Sequence, residues 1–148
     1  MRGGRGLYCG AERRTNAGWE LDLEAESSQP RVLVVDDDPD TCDILSQLLT
    51  YLGYVPVVVS DSTEALPQML RHRFDLVLLD LVMPGLSGFD VLRAWRSASD
   101  DQMMPVVAVS GHNDLRHQAR EHGFHAFIEK PVELSKLKPV LSQILPAT

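Results

Sequence analysis

Six residues with chemical potential stand at the ends of short apolar runs. Asp36, Asp37 and Asp38 follow Val32-Leu33-Val34-Val35, and Asp80 follows Leu76-Val77-Leu78-Leu79. Ser110 follows Val106-Val107-Ala108-Val109, and Lys130 lies just past Ala126-Phe127-Ile128, directly before Pro131. Carboxylates crowded at one edge repel one another, and one or more is driven to hold a proton. A divalent cation removes that conflict. Hard oxygen ligands with retained waters favour Mg²⁺. Each residue alone has a plainer role: Asp38 as a helix cap, Ser110 in a turn, Lys130 as a solvated charge. It is their common placement that points to a site.

The placement follows from the elements. The apolar runs are short, rich in β-branched residues and continuous, which is the pattern of strands buried on both faces. Val55–Val59 adds a further strand. Helical spacing lies between them. Asp38 and Pro39 open a first helix carrying Ile44, Leu45, Leu48, Leu49 and Leu52, and Gly53 ends it. Asp61 or Ser62 caps a second, through Ala65, Leu66, Met69 and Leu70. Pro67 fits it only near its start or at the cost of a kink. Gly88 to about Ser97 forms a third, with Phe89, Leu92 and Trp95 inward. Asp114 to His122 forms a fourth, ended by Gly123. Leu134 to Leu145 is a final helix, bent or started late by Pro139. Five alternating β/α units predict an α/β fold with a parallel sheet covered on both faces. Ligands of such sheets bind beyond the carboxyl ends of the strands, where the strand order reverses.

Length and composition agree. The chain of 148 residues suits one domain, with a core large enough to need no staple. Its net charge of −7 argues against direct nucleic-acid binding. No apolar run approaches a membrane span and no secretory signal is evident, so the expected compartment is the cytoplasm. Cys9 and Cys42 match no metal spacing, and Cys42 falls near the apolar stripe of the first helix. His112, His117, His122 and His125 lack metal-ligand spacing and read as solvated. Residues 1–30 are set apart: arginines, then acids, glycines, and a closing Ser27-Ser28-Gln29-Pro30. They read as a flexible tail or linker, with Trp19 and Leu21 as possible anchors, ahead of a domain at 31–148.

The sequence resembles the receiver domain of two-component response regulators. Four pieces in order carry the resemblance: Val-Leu-Val-Val-Asp-Asp-Asp-Pro (32–39), Phe-Asp-Leu-Val-Leu-Leu-Asp-Leu-Val-Met-Pro-Gly-Leu-Ser-Gly (74–88), Pro-Val-Val-Ala-Val-Ser-Gly (105–111) and Phe-Ile-Glu-Lys-Pro (127–131). It implies a doubly wound, flavodoxin-like five-stranded sheet of order 2-1-3-4-5. It implies Asp80 as phosphoacceptor, forming an acyl phosphate, with Asp37 as a direct Mg²⁺ ligand, Asp36 as its partner and the Val82 backbone carbonyl completing the protein ligands. Lys130 and Ser110 would hold phosphoryl oxygens, and a cis bond before Pro131 would aim Lys130 inward. Ser110 and Phe127 would form the switch. Donors would be a histidine kinase or phosphotransfer protein. Output would be protein–protein, through the face of the fourth helix, fifth strand and fifth helix, with no nucleic acid or membrane partner. The catalysis implied is confined to the chain's own aspartyl phosphorylation and dephosphorylation.

Some positions depart from the commonest receiver pattern. Val82 offers no polar side chain, and Phe124 is bulky where a small residue is usual. A phosphatase resembling the haloacid dehalogenases is the competing reading, with Asp36 and Asp38 as an Asp-x-Asp pair followed by Ser110 and Lys130. It leaves Asp80 unexplained. With only Pro146-Ala147-Thr148 after Leu145, the expectation is a regulator acting through partners or a fragment of a longer protein.

Overall fold

The computed structural model describes residues 11–15, 18–22, 29–101 and 103–145. Ala11–Thr15 (β1) and Gly18–Asp22 (β2) pair as an antiparallel two-stranded ladder, with Ala11 opposite Asp22 and Thr15 opposite Gly18. The reading of the rest of residues 1–28 as a flexible linker, and of the Trp19 and Leu21 side chains as anchors, lies outside the described residues.

The main sheet has five parallel strands: Arg31–Val35 (β3), Val55–Val59 (β4), Leu76–Asp80 (β5), Val106–Ser110 (β6) and Ala126–Glu129 (β7). Their spatial order is β4-β3-β5-β6-β7. Counted within this sheet, that is the predicted 2-1-3-4-5. The reversal lies between β3 and β5, whose register sets Val35 beside Leu79. The residues that follow, Asp36 and Asp80, therefore emerge side by side.

Side-chain alternation divides the core into two layers. Leu33, Val35, Val77, Leu79, Val106 and Ala108 face one layer, while Val32, Val34, Leu76, Leu78, Val107 and Val109 face the other. This is the period of two that every strand imposes, and burial on both faces explains the unbroken apolar runs. Helices Pro39–Tyr51 (α1) and Leu134–Ile144 (α5) cover the second layer through Cys42, Leu45, Leu49, Leu137 and Leu141. Ser62–Arg71 (α2), Gly88–Ala98 (α3) and Arg116–Glu121 (α4) cover the first, through Ala65, Met69, Val91, Leu92, Trp95 and Ala119. Phe89 is only partly buried, and Val91 takes an inward place beside Leu92 and Trp95.

Local signals explain most helix ends. Asp38 caps α1, accepting from the Asp40 backbone N–H and the Thr41 hydroxyl, with Pro39 at the helix start. Asp61, rather than Ser62, caps α2. Ser87 and Asp90 form a reciprocal capping box on α3. The fourth helix begins differently from expectation: Asn113–Leu115 is a 3₁₀ turn, and regular α-helix runs only over Arg116–Glu121. The fifth helix does not start late. It runs from Leu134 through Pro139, because Leu137 and Leu141, both fully buried, anchor it on each side of the missing hydrogen bond. Among the described residues, no helix is long and apolar enough to cross a membrane.

Candidate functional site

The site lies where β3, β5 and β7 end. Asp36 is nearly inaccessible, Asp80 is buried, and Asp37 is exposed. One carboxylate oxygen from each lies within 4.8 Å of the others. Lys130, at the end of β7, reaches back over the sheet edge. Its Nζ lies 2.9 Å from Asp36 Oδ2 and 3.4 Å from Asp80 Oδ2. The bond between Lys130 and Pro131 is cis, as expected. Lys136 of α5 donates to the carbonyls of Glu129 and Pro131, at 3.3 and 3.1 Å, and so braces the segment that carries Lys130.

Electrostatics at the cluster are unbalanced. Burial, and then the neighbouring Asp36 carboxylate, push Asp80 up to about 6, against the opposing pull of Lys130. Burial works against the Lys130 ammonium, yet the two carboxylates override it and hold its pKa above the ordinary lysine value. One ammonium thus serves two buried carboxylates, with a third nearby. Asp36 Oδ2 pairs with Lys130 by proximity of charge but accepts no well-formed hydrogen bond. A buried carboxylate oxygen whose close partner is an ammonium shared with Asp80, inside a three-carboxylate cluster open at Asp37, fits a hard divalent cation.

The backbone around the cluster is tightly specified. Asp36 Oδ1 accepts from the Asp38 N–H at 2.9 Å, and Asp80 Oδ1 accepts from the Val82 N–H at 3.3 Å. Cys42 is buried, and its thiol donates to the Asp36 carbonyl at 3.2 Å. Burial followed by the Asp36 charge pushes that thiol up to about 11, so it is an unreactive core group. Gly88 packs on the Asp80 carbonyl, leaving no room for a Cβ, and its N–H donates to the Leu81 carbonyl at 3.0 Å.

Ser110 is fully buried at the end of β6, one residue beyond Val109, which pairs with Asp80 across β5 and β6. Its hydroxyl accepts from the His112 N–H at 3.0 Å. Phe127 is partly buried on β7, and the Arg116 guanidinium carbon lies 4.6 Å from its ring centroid. Val82 is half exposed. Phe124 is buried in the first core layer, edge-to-face with Phe89 of α3 at a centroid separation of 5.8 Å. Among the described residues, the histidines form no metal-binding group. His117 sits 3.6 Å from Glu121, and His122 lies against Phe89 with ring centroids 4.8 Å apart.

The competing phosphatase reading loses its second carboxylate. Asp38 is turned to the α1 N-terminus, where the Thr41 hydroxyl holds its pKa low. Sequence reasoning also passed over Lys136 and treated Ser62 only as an alternative cap. Ser62 is buried, 2% exposed, and its hydroxyl bridges to a loop 22 residues away, a relationship no local pattern encodes.

Comparison with known proteins points the same way. The family model of the response regulator receiver domain matches residues 32–142. The DNA-binding response regulator MtrA of Mycolicibacterium smegmatis is 34% identical over 114 residues, covering 76% of this chain and 49% of MtrA. The chain thus spans about half the length of that relative. A CheY-like receiver domain from Methylobacillus flagellatus superposes with a TM-score of 0.72 at 33% identity, over 79% of this chain and 99% of its own. The response regulator TrrA of Thermotoga maritima, solved with Mg²⁺ and BeF, superposes with a TM-score of 0.72 at 27% identity, over 79% and 100%.

Proposed function

This chain belongs to the response regulator receiver family, and we propose that it works as an Mg²⁺-dependent phosphorylation switch with Asp80 as the phosphoacceptor. The observation that carries the reading is the cluster itself: three carboxylates within 4.8 Å, with Lys130 across two of them. Asp38, which a phosphatase would use as its second carboxylate, instead caps α1. Receiver domains are signalling domains rather than turnover enzymes, and the chemistry proposed is confined to Asp80.

Asp36, Asp37, Asp80 and the Val82 carbonyl would hold the cation. When bound, Mg²⁺ supplies charge neutralisation for the incoming phosphoryl oxygens. Phosphoryl transfer asks mainly for positioning and charge neutralisation. Asp80 Oδ attacks phosphorus, one P–O bond forms, and the P–N bond to the donor imidazole breaks as that ring takes a proton. Lys130 then exchanges part of its pairing with Asp80 for a phosphoryl oxygen. Ser110 exchanges the His112 N–H for a donor bond of its own to the phosphoryl group. Donors are a histidine kinase or phosphotransfer protein. Output is by protein contact through α4, β7 and α5, where Phe127 follows Ser110.

The test is direct. Incubation with phosphoramidate and Mg²⁺ adds one phosphoryl group to the intact mass, and none in Asp80→Asn or after chelation. Undiminished labelling of Asp80→Asn overturns the assignment.

A further inference from the structure

The loop after Asp80 runs from Leu81 to Ser87 and carries Val82, whose N–H already donates to Asp80 Oδ1. Its base is closed by Gly88, which donates to the Leu81 carbonyl. Its tip is not closed by the loop itself. Gly85 turns there with φ 84°, and the two peptide groups flanking it point at the same foreign atom. The Ser62 hydroxyl donates to the Pro84 carbonyl at 2.9 Å and accepts from the Leu86 N–H at 3.0 Å. A single hydroxyl satisfies both groups, as hydroxyls can, and it is 2% exposed.

Ser62 is itself held in place. Asp61 accepts from the Thr63 N–H and hydroxyl at 3.0 and 2.7 Å, which fixes the first turn of α2 around Ser62. The strand leading to that turn ends at Val59, whose carbonyl accepts from the Asp36 N–H at 3.1 Å. Thus the segment that supplies Asp36, the β4–α2 turn, and the loop that supplies Val82 are linked in series, and Ser62 is the joint between the last two. Contact at the joint is close: a Cβ on Gly85 would stand 3.1 Å from Ser62 Oγ.

We propose that Ser62 is a positioning residue for the phosphorylation site, holding the Leu81–Ser87 loop so that Val82 presents its backbone groups to the cation and phosphoryl oxygens at Asp80. The proposal rests on the assignment of Asp80 and Mg²⁺ made above. Ser62 touches neither. It acts through the loop, so its loss affects cation affinity rather than the phosphoacceptor's intrinsic chemistry. Linkage requires the converse: whatever Mg²⁺ gains from an ordered loop, the loop gains from Mg²⁺.

The experiment compares wild type, Ser62→Ala and Ser62→Thr by Mg²⁺ titration and amide hydrogen exchange on the full chain. In Ser62→Ala, the Mg²⁺ dissociation constant rises about tenfold, the low end for losing an outer-shell partner of a metal site. Phosphoramidate labelling falls at low Mg²⁺ and recovers at saturation. Exchange at Val82 and Leu86 quickens by about tenfold or more, while core amides of β3 and β5 stay protected. Ser62→Thr, which keeps the hydroxyl, restores the affinity. In wild type, Mg²⁺ with beryllofluoride slows exchange at Leu86, and this arm stands even if Ser62→Ala does not fold. Equal Mg²⁺ affinity in wild type and Ser62→Ala, or Leu86 exchange indifferent to Mg²⁺ and beryllofluoride, overturns the role while leaving Asp80 assigned. A wild type that neither binds Mg²⁺ nor labels overturns the assignment beneath it, and the role with it.

Discussion

The guanidinium of Arg116 lies over the ring of Phe127, with its central carbon 4.6 Å from the ring centroid. Arg116 belongs to α4 and Phe127 to β7, so the contact bridges two parts of the proposed output face. It holds the aromatic while Ser110 accepts from the His112 N–H. In the switch proposed above, a move of Ser110 toward a phosphoryl group on Asp80 would vacate space for the ring, which would then leave Arg116. An exposed cation–π contact is worth about 0.5–1 kcal/mol. Charge-assisted bonds to a phosphoryl group are worth about 1.5–3 kcal/mol each, so the phosphoryl group wins. Mg²⁺ with beryllofluoride is expected to move the Phe127 ring resonances, and Arg116→Ala to lower the beryllofluoride needed by a few-fold. Ring resonances indifferent to beryllofluoride would sink the coupling.

Asp80 sets a pH dependence of stability in the absence of metal. Its pKa is raised from 3.8 to about 6 in the folded protein, so the folded state holds that proton more tightly than the unfolded chain. Stability therefore falls as pH rises from about 4 to about 6, then stays at the lower level. A shift of about two units corresponds to a ceiling of about 3 kcal/mol. With chelator present, Asp80→Asn is expected to unfold at higher denaturant than wild type near pH 7.5. The gap should close near pH 4. Parallel profiles for the two proteins would show that Asp80 is not the destabilising charge.

Lys130 is the ammonium paired with both buried carboxylates, and is itself about one-fifth exposed. Lys130→Met leaves Asp36 and Asp80 facing each other without it, at a cost of about 2 kcal/mol near neutral pH, below the range for a fully buried pair because the ammonium retains some water. Mg²⁺ should return part of that stability, since it supplies the missing positive charge. Thermal melts with and without Mg²⁺ check this. A variant as stable as wild type without metal contradicts it.

Gly88 and Gly111 offer a paired test of packing near the site. A Cβ on Gly88 collides with the Asp80 carbonyl, whereas one on Gly111 meets nothing within 4 Å. Gly88→Ala is expected to cost about 1–3 kcal/mol through overpacking and to suppress labelling by displacing the Asp80 backbone. Gly111→Ala should leave the melting temperature within a few degrees of wild type. Equal behaviour of the two variants would refute the close approach at Gly88.

The chain order of apolar runs and helical stripes was enough to specify a parallel α/β sheet, because burial on both faces leaves a periodicity that needs no partner to be read. Asp36, Asp37, Asp80, Ser110 and Lys130 were legible for the same reason: each follows a strand, and strand ends in such a sheet share one edge. Helix ends were legible where a cap is local, as at Asp38 and Asp61, and less so at Asn113–Leu115, a 3₁₀ turn with no side-chain cap to mark it; the last helix lies where its apolar spacing put it, and Pro139 does not delay its start. What only the tertiary structure decided are contacts between residues distant in sequence: Lys130 reaching Asp36 and Asp80, the raised pKa that burial and Asp36 give Asp80, Lys136 bracing the Lys130 segment, and Ser62 joining the β4–α2 turn to the Leu81–Ser87 loop. A serine at a helix start is chemically ordinary. It acquires a role only when the sheet brings Pro84 and Leu86 within hydrogen-bonding distance of it, and distance in space is the one quantity that a linear pattern of residue types does not carry.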